Sequence, residues 1–235
     1  MDEALIRTRM LLGEQAMEKL KSAHVAVFGL GGVGSYTAEC LARSGVGELT
    51  LIDSDSVSES NINRQSIALH STVGREKAVV MAERIRDINA ACVLHPIVGT
   101  YTAAERERFW GSYDYVADCI DLVSCKIDLI LSARERKIPI LSALGTGNKL
   151  DASLLQITDI SKTLGCPLAR VMRKELRARG VQHLKVVYSP EEAAETEQGE
   201  TPPPGRRSVP ASAPWVPPVA GFLMAGEIAK DLIKE

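Results

Sequence analysis

The residues that could do chemistry begin at Gly29-Leu-Gly31-Gly32-Val-Gly34, which fits a G-x-G-x-x-G phosphate-binding turn. The turn follows the apolar run His24-Val-Ala-Val-Phe28 and opens a helical segment. There, glycines permit a tight bend and a close approach of backbone N–H groups to phosphate, and the helix N-terminus adds partial positive charge. Asp53 closes the next apolar run, about 20 residues on, where a carboxylate accepts hydrogen bonds from ribose hydroxyls. A nicotinamide cofactor and ATP both present a ribose and phosphates to such a site. The ordinary competitor is a glycine turn made only for packing, and the strand, helix and acid in register weigh against it.

The residues that follow discriminate between the nucleotides. After Asp53 comes a polar loop, Ser54-Asp55-Ser-Val-Ser-Glu-Ser-Asn61-Ile-Asn63-Arg64-Gln65, instead of a prompt return to helix. Arg64 and Lys77 place cations beyond the turn, as a triphosphate requires. Taken singly, each reads as a solvated surface charge. Asp118 and Asp121 fall at the end of the fourth apolar run, at the strand edge where open α/β sheets bind ligands. A carboxylate there can hold Mg2+ against phosphate oxygens, and Asp118 reads equally well as a strand-end cap.

Positioning these groups requires alternating strands and helices. Strands are expected at 24–28, 48–53, 93–98, 113–120 and 138–143. Helices are expected at 3–21, 32–44, 74–89, 102–110 and 122–137. This alternation predicts an α/β fold: a Rossmann-like, mainly parallel sheet covered by helices on both faces. A less regular C-terminal half follows, with strands at 150–157 and 183–188 and helices at 167–179 and 218–234. Residues 189–214 are poor in large apolar side chains and rich in Pro, Glu, Gly and Ser, and are expected to form a flexible loop. The organisation expected is one domain over 1–235.

Composition narrows the function. With 45% hydrophobic and 25% charged residues and a net charge of −2, the chain cannot bind nucleic acid through bulk charge alone. Aromatics at 4% argue against a base-stacking platform. The five cysteines contain no C-x-x-C pair, which disfavours a disulfide framework or a paired-cysteine zinc site and fits a reducing cytoplasm. Cys40 and Cys119 read as small core residues, and Cys166 as a buried or half-buried thiol. His24, His70, His95 and His183 are scattered along the chain and suggest no metal site. The apolar C-terminal segment is interrupted by Pro217 and Pro218 and is too short for stable membrane insertion.

The run Gly29–Gly34, then Asp53-x-Asp55-x-Val57-x-x-Ser60-Asn61-Ile62-x-Arg64-Gln65, then Lys77, then Asp118-x-x-Asp121, resembles the ubiquitin-activating-enzyme superfamily in its bacterial adenylyltransferase form. That resemblance covers roughly residues 5–160. It implies ATP in the glycine turn, ribose on Asp53, phosphates on Asn61, Arg64 and Lys77, and Mg2+ on Asp121. Asp55 and Gln65 belong to the same string. It further implies a homodimer in which an arginine, matched by Arg9, reaches the partner's site.

Two chemistries share this pattern. One adenylates the C-terminal carboxylate of a ubiquitin-like sulfur carrier, commonly with two C-x-x-C pairs and a reactive cysteine in a mobile loop. Residues 189–218 hold no cysteine. The other acts on tRNA. The opening Arg7-Thr-Arg9-Met-Leu-Leu-Gly-Glu14, the stretch Thr158-Asp-Ile-Ser-Lys162-Thr and the segment Pro167-Leu-Ala look like the tRNA threonylcarbamoyladenosine dehydratases. The segment Leu168–Arg179 supports RNA binding physically. Leu168, Val171, Met172 and Leu176 share one helical face and displace Arg170, Arg173, Lys174 and Arg177 to another, a stripe that tRNA phosphates would favour. An amphipathic helix with solvated arginines is the blander reading. Partners expected are therefore tRNA, a second copy of the chain and a sulfur-relay protein.

Overall fold

The computed structural model describes residues 3–197, 199 and 209–234. Its strands are β1 (His24–Phe28), β2 (Glu48–Asp53), β3 (Val93–Val98), β4 (Tyr115–Asp118), β5 (Ile140–Ala143), β6 (Gln156–Asp159) and β7 (Lys185–Tyr188). They form one sheet in the order β3-β2-β1-β4-β5-β7-β6. Neighbours are parallel except β6, which runs antiparallel to β7 at one edge. The other edge is β3, whose Pro96 cannot donate to a ladder and suits an outer position. The predicted mainly parallel α/β sheet is thus observed.

The helices are α1 (Ile6–Leu12), α2 (Glu14–Ser22), α3 (Gly34–Arg43), α4 (Lys77–Ile88), α5 (Val123–Glu135), α6 (Pro167–Ala178) and α7 (Val216–Ile233). Val25, Val27, Leu49 and Leu51 face a core shared with α3, α4 and α7. Ala26, Phe28, Ile52 and Val116 point the other way, to Tyr101, Phe109 and Leu129. Strands buried on both faces read as unbroken apolar runs, which is why their positions were plain in the sequence. Helix α7 buries Ala220, Met224, Ala225 and Ile228 against the sheet, and no helix among the described residues is long and apolar enough to cross a membrane.

Several expectations need correction. The helix predicted over 3–21 is a 3-10 turn (Glu3–Leu5) plus α1 and α2, broken at Gly13, whose φ is 85°. The helix predicted at 102–110 is only a 3-10 turn, Arg106–Phe109, because Phe109 and Tyr101 both turn into the aromatic cluster around Phe28. The strand predicted from residue 150 starts at Gln156. Before it, Asp151 accepts a hydrogen bond from the Ser153 N–H and caps a 3-10 turn over Ala152–Leu154. In α6 the buried face is Ala169, Met172 and Leu176, leaving Val171 45% exposed. At the flanks of the 189–214 segment the Asn148 carbonyl accepts from the Ala194 N–H and its side-chain oxygen from the Ala211 N–H, contacts that leave the expectation of a flexible loop as it stood. The centre of that segment, 200–208, lies outside the described residues. Finally, His24 and His95 are not scattered, because strand pairing brings them together.

One polar cluster fastens α7 to the sheet. Lys185 of β7 donates to Asp231 at 2.5 Å and to Glu227 at 2.9 Å, and the Tyr115 hydroxyl donates to Asp231 at 2.9 Å. Burial pushes the Asp231 carboxyl up, but hydrogen bonds from Lys185, Lys234 and Tyr115 outweigh it and hold the pKa at about 2. A carboxyl held below its unfolded value stabilises the fold above that value, near 4, and loses the effect as pH falls toward 2. Asp231→Asn is therefore expected to cost roughly 2 kcal/mol in urea unfolding at pH 7, with the gap to wild type closing as the pH approaches 2.

Candidate active site

Strand order reverses between β1 and β4, and the carboxyl ends of these strands carry the glycine turn on one side and Asp118 to Asp121 on the other. Gly29 has φ 88°, and a Cβ there would lie 2.8 Å from the Cys119 carbonyl oxygen. A Cβ on Gly34 would sit 1.8 Å from the Gly29 carbonyl oxygen, so no side chain fits where α3 begins. These two glycines are demanded by packing. Gly31 is not: the nearest atom to a Cβ there is Gln65 Nε2, at 3.9 Å. The turn is thus locked at its ends, covered at Gly32 by Pro217, and open at Gly31, above the first turn of α3 where amides lack intrahelical acceptors.

Asp53 links this turn to the polar loop. Its carboxylate accepts from the Leu30 N–H at 2.6 Å and the Asp55 N–H at 2.8 Å. Burial pushes its pKa up, against the opposing pull of Lys77. Lys77 is the first residue of α4, and its side chain is 6% exposed, so the solvated-charge reading fails. A cation at a helix N-terminus opposes the helix dipole. Here Asp55 offsets it with an ion pair of 2.9 Å.

Arg64 is half-buried; its stem lies 3.4 Å from where Gly32 would carry a Cβ, and its guanidinium donates to Ser60 O and Asn63 Oδ1. Asn61 is buried and accepts from the Ser58 N–H, shaping the loop that carries Arg64. Gln65 is also buried, and its Oε1 has no hydrogen-bond partner among the described residues. An orphaned acceptor on the side chain nearest the open Gly31 suits a ligand that brings a donor.

The two acids after β4 part company. Asp118 is fully buried: it pairs with the equally buried Lys126 at 2.9 Å, accepts from Ser142 Oγ at 2.5 Å and from the Ile120 N–H at 3.2 Å. It is the structural alternative weighed above. Asp121 is exposed at the strand edge, a hard oxygen donor beside the turn suited to Mg2+, which takes one or two carboxylates plus phosphate oxygens. The sequence did not flag Lys126, because nothing in an amphipathic pattern marks a lysine as buried. Lys149, on the loop after β5, was missed for the same reason: its Nζ is buried with no hydrogen-bond partner among the described residues.

Residues 210–218 return across this edge. Asn63 Nδ2 donates to Ser212 O, the Trp215 indole N–H donates to Leu150 O, and Pro217 lies against Gly32. Arg170, Lys174 and Arg177 are exposed on α6 and, with Arg173, line one shallow depression. Arg173 is partly committed, donating to the Thr163 carbonyl at 2.6 Å. Cys166 is buried at the N-cap of α6, where its sulfur accepts from the Ala169 N–H. Arg9 lies on α1, 3.8 Å from Glu14. The chain just before α1 packs Leu5 beneath Gly45, past the C-terminal end of α3. That is about 15 Å, the length of α3, from the glycine turn of the same chain.

The description of the ThiF family matches residues 5–235. A tRNA threonylcarbamoyladenosine dehydratase of Bacillus subtilis is 41% identical over 239 aligned positions, which cover 97% of this chain and 94% of that protein. The crystal structure of the Escherichia coli tRNA N6-threonylcarbamoyladenosine dehydratase in complex with ATP matches with a TM-score of 0.88 at 36% identity, covering 98% of this chain and 94% of that one. A molybdopterin-synthase adenylyltransferase of E. coli is 35% identical over 125 residues, 53% of this chain and 50% of its own length.

The division of labour between the two acids is testable by unfolding in urea without nucleotide. Asp118→Ala leaves Lys126 buried and unpaired and is expected to cost about 3–5 kcal/mol. Asp121→Ala, at an exposed position, is expected to stay within about 0.5 kcal/mol of wild type.

Proposed function

Because the chain belongs to the ThiF family, we propose that it is an ATP-dependent tRNA threonylcarbamoyladenosine dehydratase. The observation that carries this reading is the likeness, over 98% of the chain, to a dehydratase solved with ATP. The open turn at Gly31 and the unpaired acceptor on Gln65 support it independently.

A carboxylate is a poor electrophile, since its leaving group would be oxide. In the proposed reaction an oxygen of the threonyl carboxylate attacks the α-phosphorus of ATP, and pyrophosphate leaves. The acyl-adenylate then carries a good leaving group. The neighbouring carbamoyl group attacks the acyl carbon at high effective molarity. AMP departs with the former carboxylate oxygen, a proton is released, and the ring closes. No protein nucleophile is needed, in keeping with the absence of cysteine from 189–218.

Each group has a role in this scheme. The amides around Gly29, Gly31, Gly32 and Gly34 and the cations Arg64 and Lys77 bind phosphate, while Asp53 binds ribose. Asp55 holds Lys77 in place, Asn61 shapes the loop, and Gln65 accepts a donor from the nucleotide. Asp121 holds Mg2+, which would neutralise phosphate charge. The exposed Arg170, Lys174 and Arg177, with Arg173, bind tRNA phosphates. On α1, Ile6, Met10 and Leu11 are 49%, 82% and 83% exposed. An apolar face of this kind suits a second copy of the chain, and in the homodimer Arg9 enters the partner's site. The enzyme acts in the cytoplasm, with a sulfur-relay protein as a further partner.

Mass spectrometry of tRNA nucleosides tests the reaction: loss of one water from threonylcarbamoyladenosine, dependent on ATP, is expected. Carrier-dependent pyrophosphate exchange with a Gly-Gly-ended carrier protein, and none with modified tRNA, would replace this reading with carrier adenylation. Arg9→Ala and Asp121→Ala are each expected to lower turnover at least about a hundredfold. Mixed in one dimer, the two variants should regain activity, because the Arg9→Ala subunit receives its arginine from the other. No regain would place Arg9 outside the partner's site.

A further inference from the structure

At the amino ends of the central strands, away from the nucleotide site, three ligand-type side chains meet. His24 opens β1, Glu48 opens β2 directly beside it, and His95 on the edge strand β3 pairs with Thr50, two residues along β2. One ligand atom from each lies within 4.8 Å of the others. His95 Nε2 is 2.7 Å and His24 Nδ1 is 3.4 Å from the same atom, Glu48 Oε1. A tetrahedral ion with bonds of 2.0–2.1 Å separates its ligand atoms by about 3.3 Å, so small side-chain rotations suffice.

The His24 ring is already oriented. Its Nε2 is hydrogen-bonded to the buried Thr50 hydroxyl at 2.8 Å, and Tyr113 packs edge-on against it at 4.9 Å. Fixing one ring nitrogen with a hydrogen bond while the other faces the ion is how metal-binding histidines are held. His95 and Glu48 are 46% and 37% exposed, which leaves room for a water as fourth ligand.

We propose that His24, Glu48 and His95 bind a borderline divalent transition ion of the Zn2+ class, with water completing a four-coordinate site. The ion would fasten the edge strand β3 to β2 and β1. The site lies about 17 Å, the length of β1, from the glycine turn and is independent of the tRNA reading.

The test uses the full chain, freed of metal and without nucleotide. Calorimetric titration with Zn2+ is expected to give one ion per chain, weakened at least about tenfold by His95→Ala and by Glu48→Gln. Both substitutions are at partly exposed positions, and thermal melting of the metal-free variants confirms folding. Zn2+ should raise the melting temperature of wild type and not of His95→Ala. Co2+ should give visible four-coordinate bands without thiolate charge transfer. Absence of binding, affinity unchanged in both variants, or a thiolate band assigning the metal to cysteine would each overturn the proposal.

Discussion

The Gly29 carbonyl oxygen occupies the space where residue 34 would carry a Cβ, and the architecture depends on that contact. It draws the start of α3 tight against the end of β1, which places helix amides at the point where strand order reverses. Other approaches stack on it. A Cβ on Gly221 of α7 would meet the Val33 carbonyl at 2.6 Å, so α7 crosses α3 nearly backbone to backbone. Pro217 then closes over Gly32. Polypeptide from the far end of the chain thereby forms part of the wall around a turn made near its beginning.

Charge is arranged around that turn in two grades. The Asp118–Lys126 pair is wholly withdrawn from water and supported by Ser142 and the Ile120 amide and carbonyl. A buried pair of this kind is a costly device that specifies geometry more than it stabilises. It fixes the end of β4, from which Asp121 projects. Lys77 is buried yet faces the exposed Asp55, so its charge is shared with the solvent edge where a polyanion would dock.

Much of this was legible in the sequence. The central parallel strands, buried on both faces, read as apolar runs at 24–28 and 48–53, and the glycine spacing located the turn. What stayed hidden depended on contacts between distant segments. Nothing local distinguishes Lys77, Lys126 or Lys149 from a surface lysine; only tertiary burial does. His24, Glu48 and His95 have no metal-ligand spacing along the chain, because parallel strands joined by crossovers bring together residues far apart in sequence. The segment 102–110 carried a helical pattern but lost it to the aromatic cluster that claims Phe109 and Tyr101. Both flanks of a loop poor in large apolar residues hydrogen-bond to one distant residue, Asn148, whose φ is 56°.

The proposed chemistry joins an oxygen of the tRNA carboxylate to the α-phosphorus of ATP beside the glycine turn. It is tested most directly by labelling that carboxylate with heavy oxygen and following the label through one turnover. The label is expected to emerge in the phosphate of AMP, alongside pyrophosphate. Label recovered in inorganic phosphate with ADP as the other product, or released into water, would contradict it.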